Sequence, residues 1–147
     1  MISRAGTTAV RVDRTQGHAG VQFVNGQFMS TIHVGEQNQR PVKLTNCGFW
    51  PLPETQEQVV KLGPSTLMLT SCHFVGWDKA TKGLPCLRAS GGRLIVNACE
   101  FMAPGQQPIL LEKGLVAATI TGSLFRTEKP VNDNSGGDVQ VGPNASH

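Results

Sequence analysis

A chain of 147 residues with 39% hydrophobic and 16% charged side chains has the length of one domain and enough apolar material for a core. Its net charge of +3 is too small for a duplex nucleic-acid binder, which concentrates far more Lys and Arg. No apolar run approaches the ~18 residues of a membrane span. Glycine is high at 17, proline is 9, aromatics are 5% and tyrosine is absent, which fits many short strands and tight turns rather than long helices. The opening Met-Ile-Ser-Arg-Ala-Gly lacks the apolar stretch of a secretory signal.

The first predicted element is Val10-Arg-Val12, an in–out–in strand. An eight-residue phrase then begins at Val21-Gln-Phe-Val-Asn-Gly-Gln-Phe28. It returns as Val42-Lys-Leu-Thr-Asn-Cys-Gly-Phe49, Leu67-Met-Leu-Thr-Ser-Cys-His-Phe74, Leu94-Ile-Val-Asn-Ala-Cys-Glu-Phe101 and Ala118-Thr-Ile-Thr-Gly-Ser-Leu-Phe125, and a partial copy starts at Val139. The starts lie 21, 25, 27, 24 and 21 residues apart, and a period of roughly 20–30 residues built on a short strand marks a solenoid. Within each phrase the first and third residues are apolar and the second faces out, as in a strand. The fifth slot holds Asn25, Asn46, Ser71, Ala98 and Gly122, small or turn-forming types suited to a bend. The sixth holds Gly26, Cys47, Cys72, Cys99 and Ser123, and the eighth is always Phe.

A weaker strand follows each phrase: Ile32–Val34, Val59–Leu62, Cys86–Ala89, Ile109–Leu111 and Val131–Asp133. Proline at 85, 108 and 130 immediately precedes three of them. The predicted fold is therefore all-β, a right-handed parallel β-helix of five to six coils with little or no helix, in a single domain over 1–147. Handedness follows from the right-handed preference of parallel crossovers. Equivalent residues would sit about 4.8 Å apart, so the five Phe rings form an internal stack beside a column of Cys47, Cys72 and Cys99. That spacing permits either a disulfide between neighbours or buried thiols acting as small apolar fillers. No C-x-x-C pair or finger-like His spacing occurs, so no metal or other cofactor is predicted. Neither terminus shows an amphipathic capping helix, and an open solenoid end exposes unpaired strand edges. The expectation is a segment of a longer solenoid, with self-association through open coil ends as the alternative.

Several outward residues are candidates for binding. Counting back from each phrase places Lys61 over Arg88, with Arg11 and His33 in the same position of earlier coils. An outward basic stripe of Arg11, His33, Lys61 and Arg88, about 14 Å long at the inter-strand spacing, points to an anionic partner. The plainer interpretation is a solvated face with loop carboxylates nearby. Trp50 and Trp77 lie in the two longest loops, Trp50–Gln58 and Val75–Pro85, and would form a platform for sugar rings if exposed. Asp78, Lys79 and Lys82 stand beside Trp77; the competing expectation is that both rings lid the core. His73 and Glu100 share an outward slot and are expected to form a surface pair. Met68 and Ile95 also stack outward, as under a covering loop or partner.

The repeated apolar-x-apolar-x-Asn/Ser-Cys-x-Phe phrase, from Val21 to Val141, resembles the pectate-lyase-like superfamily of parallel β-helices, which includes polygalacturonase-like hydrolases. The resemblance implies polysaccharide binding and an extracellular or cell-surface location. Polygalacturonase-like enzymes carry Asn-Thr-Asp, paired Asp, Gly-His-Gly and Arg-Ile-Lys motifs. Asn132-Asp133-Asn134 is not the first, Gly17-His18-Ala19 is not the third, and the others are missing. The ten carboxylates are scattered, and no column of the repeat supplies two on one face, as glycoside hydrolysis requires. The expectation is a non-catalytic module that binds polysaccharide or serves as scaffold. Its predicted glycan contacts are Trp50, Trp77, Asp78, Lys82, Arg11, His33, Lys61 and Arg88, with no catalytic residue. The alternatives are a lyase or hydrolase with an unrecognised site, and a trimeric spike module with Met68 and Ile95 facing neighbours.

Overall fold

The computed structural model describes residues 8–147 and, among them, contains strands and no helix. The chain winds through three six-stranded parallel sheets, a β-solenoid of about six turns. The first sheet contains Thr8–Val12, Thr31–Val34, Val59–Lys61, Leu87–Ala89, Ile109–Leu111 and Val131–Asp133. The second contains Val21–Val24, Val42–Thr45, Thr66–Thr70, Gly92–Asn97, Leu115–Thr121 and Asp138–Val141. The third is made of two-residue strands, Gln27–Phe28, Gly48–Phe49, His73–Phe74, Glu100–Phe101, Leu124–Phe125 and Ala145–Ser146. Each eight-residue phrase thus supplies one strand of the second sheet, a bend, and one strand of the third.

The bend explains the fifth slot. Asn25, Asn46, Ser71, Ala98 and Gly122 have φ of 57, 52, 54, 54 and 61°, the left-handed conformation that Gly and Asn adopt at least cost. The amide of Asn46 also donates to Oδ1 of Asn25 at 2.7 Å. Beyond the bend, the alternation resumes and points each Phe inward. Centroids of Phe28, Phe49, Phe74, Phe101 and Phe125 are separated in turn by 5.3, 4.5, 4.7 and 5.0 Å, with planes inclined by 28, 16, 11 and 15°. Each ring contributes about 1.5–3 kcal/mol by burial, and each stacked pair about 0.5–1.5 kcal/mol more. Cys47, Cys72, Cys86 and Cys99 are buried free thiols. The Cys47 and Cys72 sulfurs donate to the carbonyls of Phe23 and Leu44, one turn earlier. Burial pushes the Cys47 and Cys86 thiols up from their ordinary value, as befits packing groups rather than nucleophiles.

One register differs from expectation. Lys61 aligns with Val34 and Ala89, and Val60 takes the place over Arg88. Turn length explains the shift. Gly63 and Gly91, with φ of 74 and 72°, each lie two residues beyond their strand and stack so closely that a Cβ on Gly91 would come within 2.8 Å of the Gly63 carbonyl. This stacked pair sets the register, and Pro64, after Gly63, takes up the extra residue before the next phrase. Counting back from the phrase therefore misplaced Lys61 by one residue, and a one-residue slip reverses the face of a side chain. Lys61 points inward and is fully buried. Its ammonium donates to the carbonyls of Gly63 and Gly91, and desolvation lowers its pKa from 10.5 to about 8.

Candidate functional site

The outward column of the first sheet runs Arg11, His33, Val60, Arg88, Leu110. Three of the four residues expected in the stripe are therefore aligned, with Val60 replacing the buried Lys61. Strand alternation presents these side chains outward, while Ile32, Val34, Leu87 and Ala89 fill the core behind them.

The column is not a basic surface. Arg11 donates from Nε to Asp13 Oδ1 at 2.6 Å. Arg88 holds Glu57 through two parallel bonds, Nε to Oε2 at 2.6 Å and Nη2 to Oε1 at 3.1 Å, and reaches Glu112 from Nη1 at 3.4 Å. The Glu57 bonds come first among the causes that raise the Arg88 pKa above its ordinary value. Glu57 is positioned by the loop ahead of the Val59 strand, where its carbonyl accepts a bond from the Thr31 hydroxyl at 2.6 Å. Glu36 and Glu54 add further carboxylates around the column.

Two contiguous depressions flank His33. One, of about 260 Å³, is bordered by Thr31, His33, Glu54, Gln56, Glu57 and Arg88. The other, of about 520 Å³, is bordered by Arg11, Asp13, His33, Glu36 and Gln37. Burial, with Arg11 as the next cause, lowers the His33 pKa below 6.5, so the imidazole is neutral at pH 7. Its Nδ1 is sealed from solvent without a hydrogen-bond partner.

Glu57 and Glu112 did not stand out in the sequence. One precedes a second strand and the other follows the next but one, and only the reach of Arg88 joins them. Two carboxylates therefore share one face, contrary to expectation. The Arg88 guanidinium bridges them, and two carboxylates on one face are the groups that glycoside hydrolysis uses. Both are committed as acceptors to Arg88, whereas that reaction needs one of the pair to deliver a proton to the leaving group.

The Trp77 platform is also corrected. Trp77 is buried, its ring packing edge-on to Phe101 with centroids 6.3 Å apart and planes at 82°. Asp78 is buried beside it, and its carboxylate accepts the backbone N–H groups of Lys82, Gly83 and Leu84 at 3.0, 2.8 and 3.0 Å. Those bonds close the loop, leaving Lys82 exposed on its outside. Apolar area outweighs loop position here: a large ring beside an open corner of the core is covered rather than displayed. Trp50 alone of the two is exposed, at 54%. His73 and Glu100 form the expected surface pair, Nδ1 to Oε2 at 2.9 Å. Met68 and Ile95 are neighbours on the outer face of the second sheet, both half-buried. Among the described residues no group of three or more His, Cys, Asp or Glu is placed to hold a metal ion. Comparison with models of protein families, with curated proteins and with solved structures finds no match to this chain.

Proposed function

We propose that this chain is a non-catalytic, polysaccharide-binding solenoid module of pectate-lyase-like type, with the sugar chain lying along the outer face of the first sheet. The observation that carries this reading is the pair of polar depressions meeting at His33, a surface that runs across consecutive turns and offers hydroxyl, amide, imidazole and paired charged groups. Such a face suits an extended, hydroxyl-rich polymer better than a compact apolar ligand. Because Arg11 and Arg88 are already paired with carboxylates, a neutral polysaccharide fits better than a polyuronate.

The test is a glycan array of neutral and acidic polysaccharides, run beside an assay for released sugars. Neutral polymers should bind without product formation, and His33→Ala should weaken binding about tenfold, equivalent to ~1.4 kcal/mol. Binding unchanged in both His33→Ala and Arg11→Ala would remove the face from consideration. Product release abolished by Glu112→Gln would instead establish the hydrolase alternative.

A further inference from the structure

The third sheet carries a second surface on the opposite side of the Phe stack. The residues after the first four Phe rings form a row of Met29, Trp50, Val75 and Met102, and Arg126 follows the fifth. The backbone N–H groups of Trp50, Val75 and Met102 donate in turn to the carbonyls of Phe28, Phe49 and Phe74 at 2.9, 3.1 and 2.8 Å, which keeps the four in register. Trp50 and Val75 are 54% and 37% exposed. The residue before each Phe forms a parallel column, Gln27, Gly48, His73, Glu100 and Leu124, polar at Gln27, His73 and Glu100 and apolar at its last member.

Trp50 is exposed yet held in place. Its Nε1–H donates to Gln27 Oε1 at 3.1 Å. Gln27 reaches that position by lying over Gly48, where an added Cβ would stand 2.5 Å from the same oxygen. The φ of Gly48 is not in the left-handed region, so glycine serves space here rather than backbone conformation. A half-exposed indole would ordinarily sample several rotamers; this one is tethered through its N–H while about half of its surface stays exposed.

We propose that this ridge is a separate binding site for neutral pyranose units, which stack on Trp50 and hydrogen-bond to the Gln27–His73–Glu100 column. A pyranose has an apolar C–H face and a rim of hydroxyls, and the two columns present matching apolar and polar strips side by side. The Glu100 carboxylate is bonded to His73 Nδ1 at 2.9 Å and Gln27 is uncharged, a set of hydrogen-bonding groups that suits a neutral ligand. A protein partner fits poorly, because the ridge is one residue wide and a stable interface needs roughly 800 Å² per partner.

The experiment follows tryptophan fluorescence and calorimetry during titration of the full chain with neutral glucan and mannan oligosaccharides. Saccharide should perturb Trp50 emission, leaving the buried Trp77 as an internal reference. Trp50→Ala should weaken binding at least tenfold, whereas His33→Ala should leave this component intact. Gly48→Ala displaces only the flexible end of Gln27, so the fold is kept while the Trp50 tether is lost, and affinity should fall several-fold. Oligosaccharide affinity unchanged by Trp50→Ala would overturn the site, even if His33→Ala shows that the first sheet binds. Concentration-dependent dimerisation abolished by Trp50→Ala would overturn it in favour of a self-association surface.

Discussion

Two inward columns of the same solenoid solve the stacking problem differently. In the third sheet, five Phe rings repeat without interruption, and each interior ring meets a like neighbour above and below. In the first sheet the corresponding column reads Val12, Val34, Lys61, Ala89, Leu111, a mixture that includes one buried ammonium. A repeated column draws its stability from identical contacts, so losing one member affects two interfaces. A mixed column tolerates an exception only where neighbours yield. Here Ala89 is small, and Gly92 has no Cβ, which would otherwise stand 2.6 Å from the Lys61 nitrogen. The space is used to satisfy two turn carbonyls that would otherwise be poorly paired.

The sharpest way to break the uniform column is Phe74→Ala, at the ring with the shortest centroid distances on both sides, 4.5 and 4.7 Å. The cavity should cost about 3–5 kcal/mol, read as a lower urea midpoint at unchanged m-value. The mixed column should announce itself through pH. Lys61 has a folded pKa of about 8 against 10.5, so between these values the unfolded chain binds the proton and the folded chain releases it. Stability contributed by this site therefore rises with pH from about 8 to 10.5 and is flat below 8. Denaturation of wild type and Lys61→Met at matched pH should show that slope in their difference, and parallel curves would refute the lowered pKa of the buried ammonium. The smallest effect belongs to the bend beside the Phe column. Ala98 holds φ at 54° without the amide that Asn25 and Asn46 use or the freedom of Gly122. Ala98→Gly should add about 0.5–1 kcal/mol by relieving that strain, seen as a higher melting temperature.

The two columns also show why function was less legible than fold. Inward residues recur because every turn offers them the same environment, so periodicity exposed the Val/Leu, Cys and Phe positions directly. The all-β class, the turn count, the second strands and the His73–Glu100 pair followed from that pattern. Outward residues answer to no common environment, and their placement depended on details of single turns. Lys61 moved inward because stacked Gly63 and Gly91 set the register, and Trp77 went inside because its loop, closed by Asp78, folds over a corner of the core. Glu57 and Glu112 entered the candidate site through the reach of Arg88, which no spacing rule expresses.

What the sequence determined by itself was therefore the coil: a recurring apolar phrase permits one stacking register, since slipping it by one residue would turn the whole apolar set to solvent. What only the tertiary structure decided was the surface. Whether Arg11, His33 and Arg88 form a bare basic stripe or a neutralised polar groove, and which tryptophan meets solvent, depends on carboxylates and loops that belong to single turns. Those contacts occur once each, some local as Arg11 with Asp13 and some between turns as Arg88 with Glu57 and Glu112, so no repeat within the chain records them.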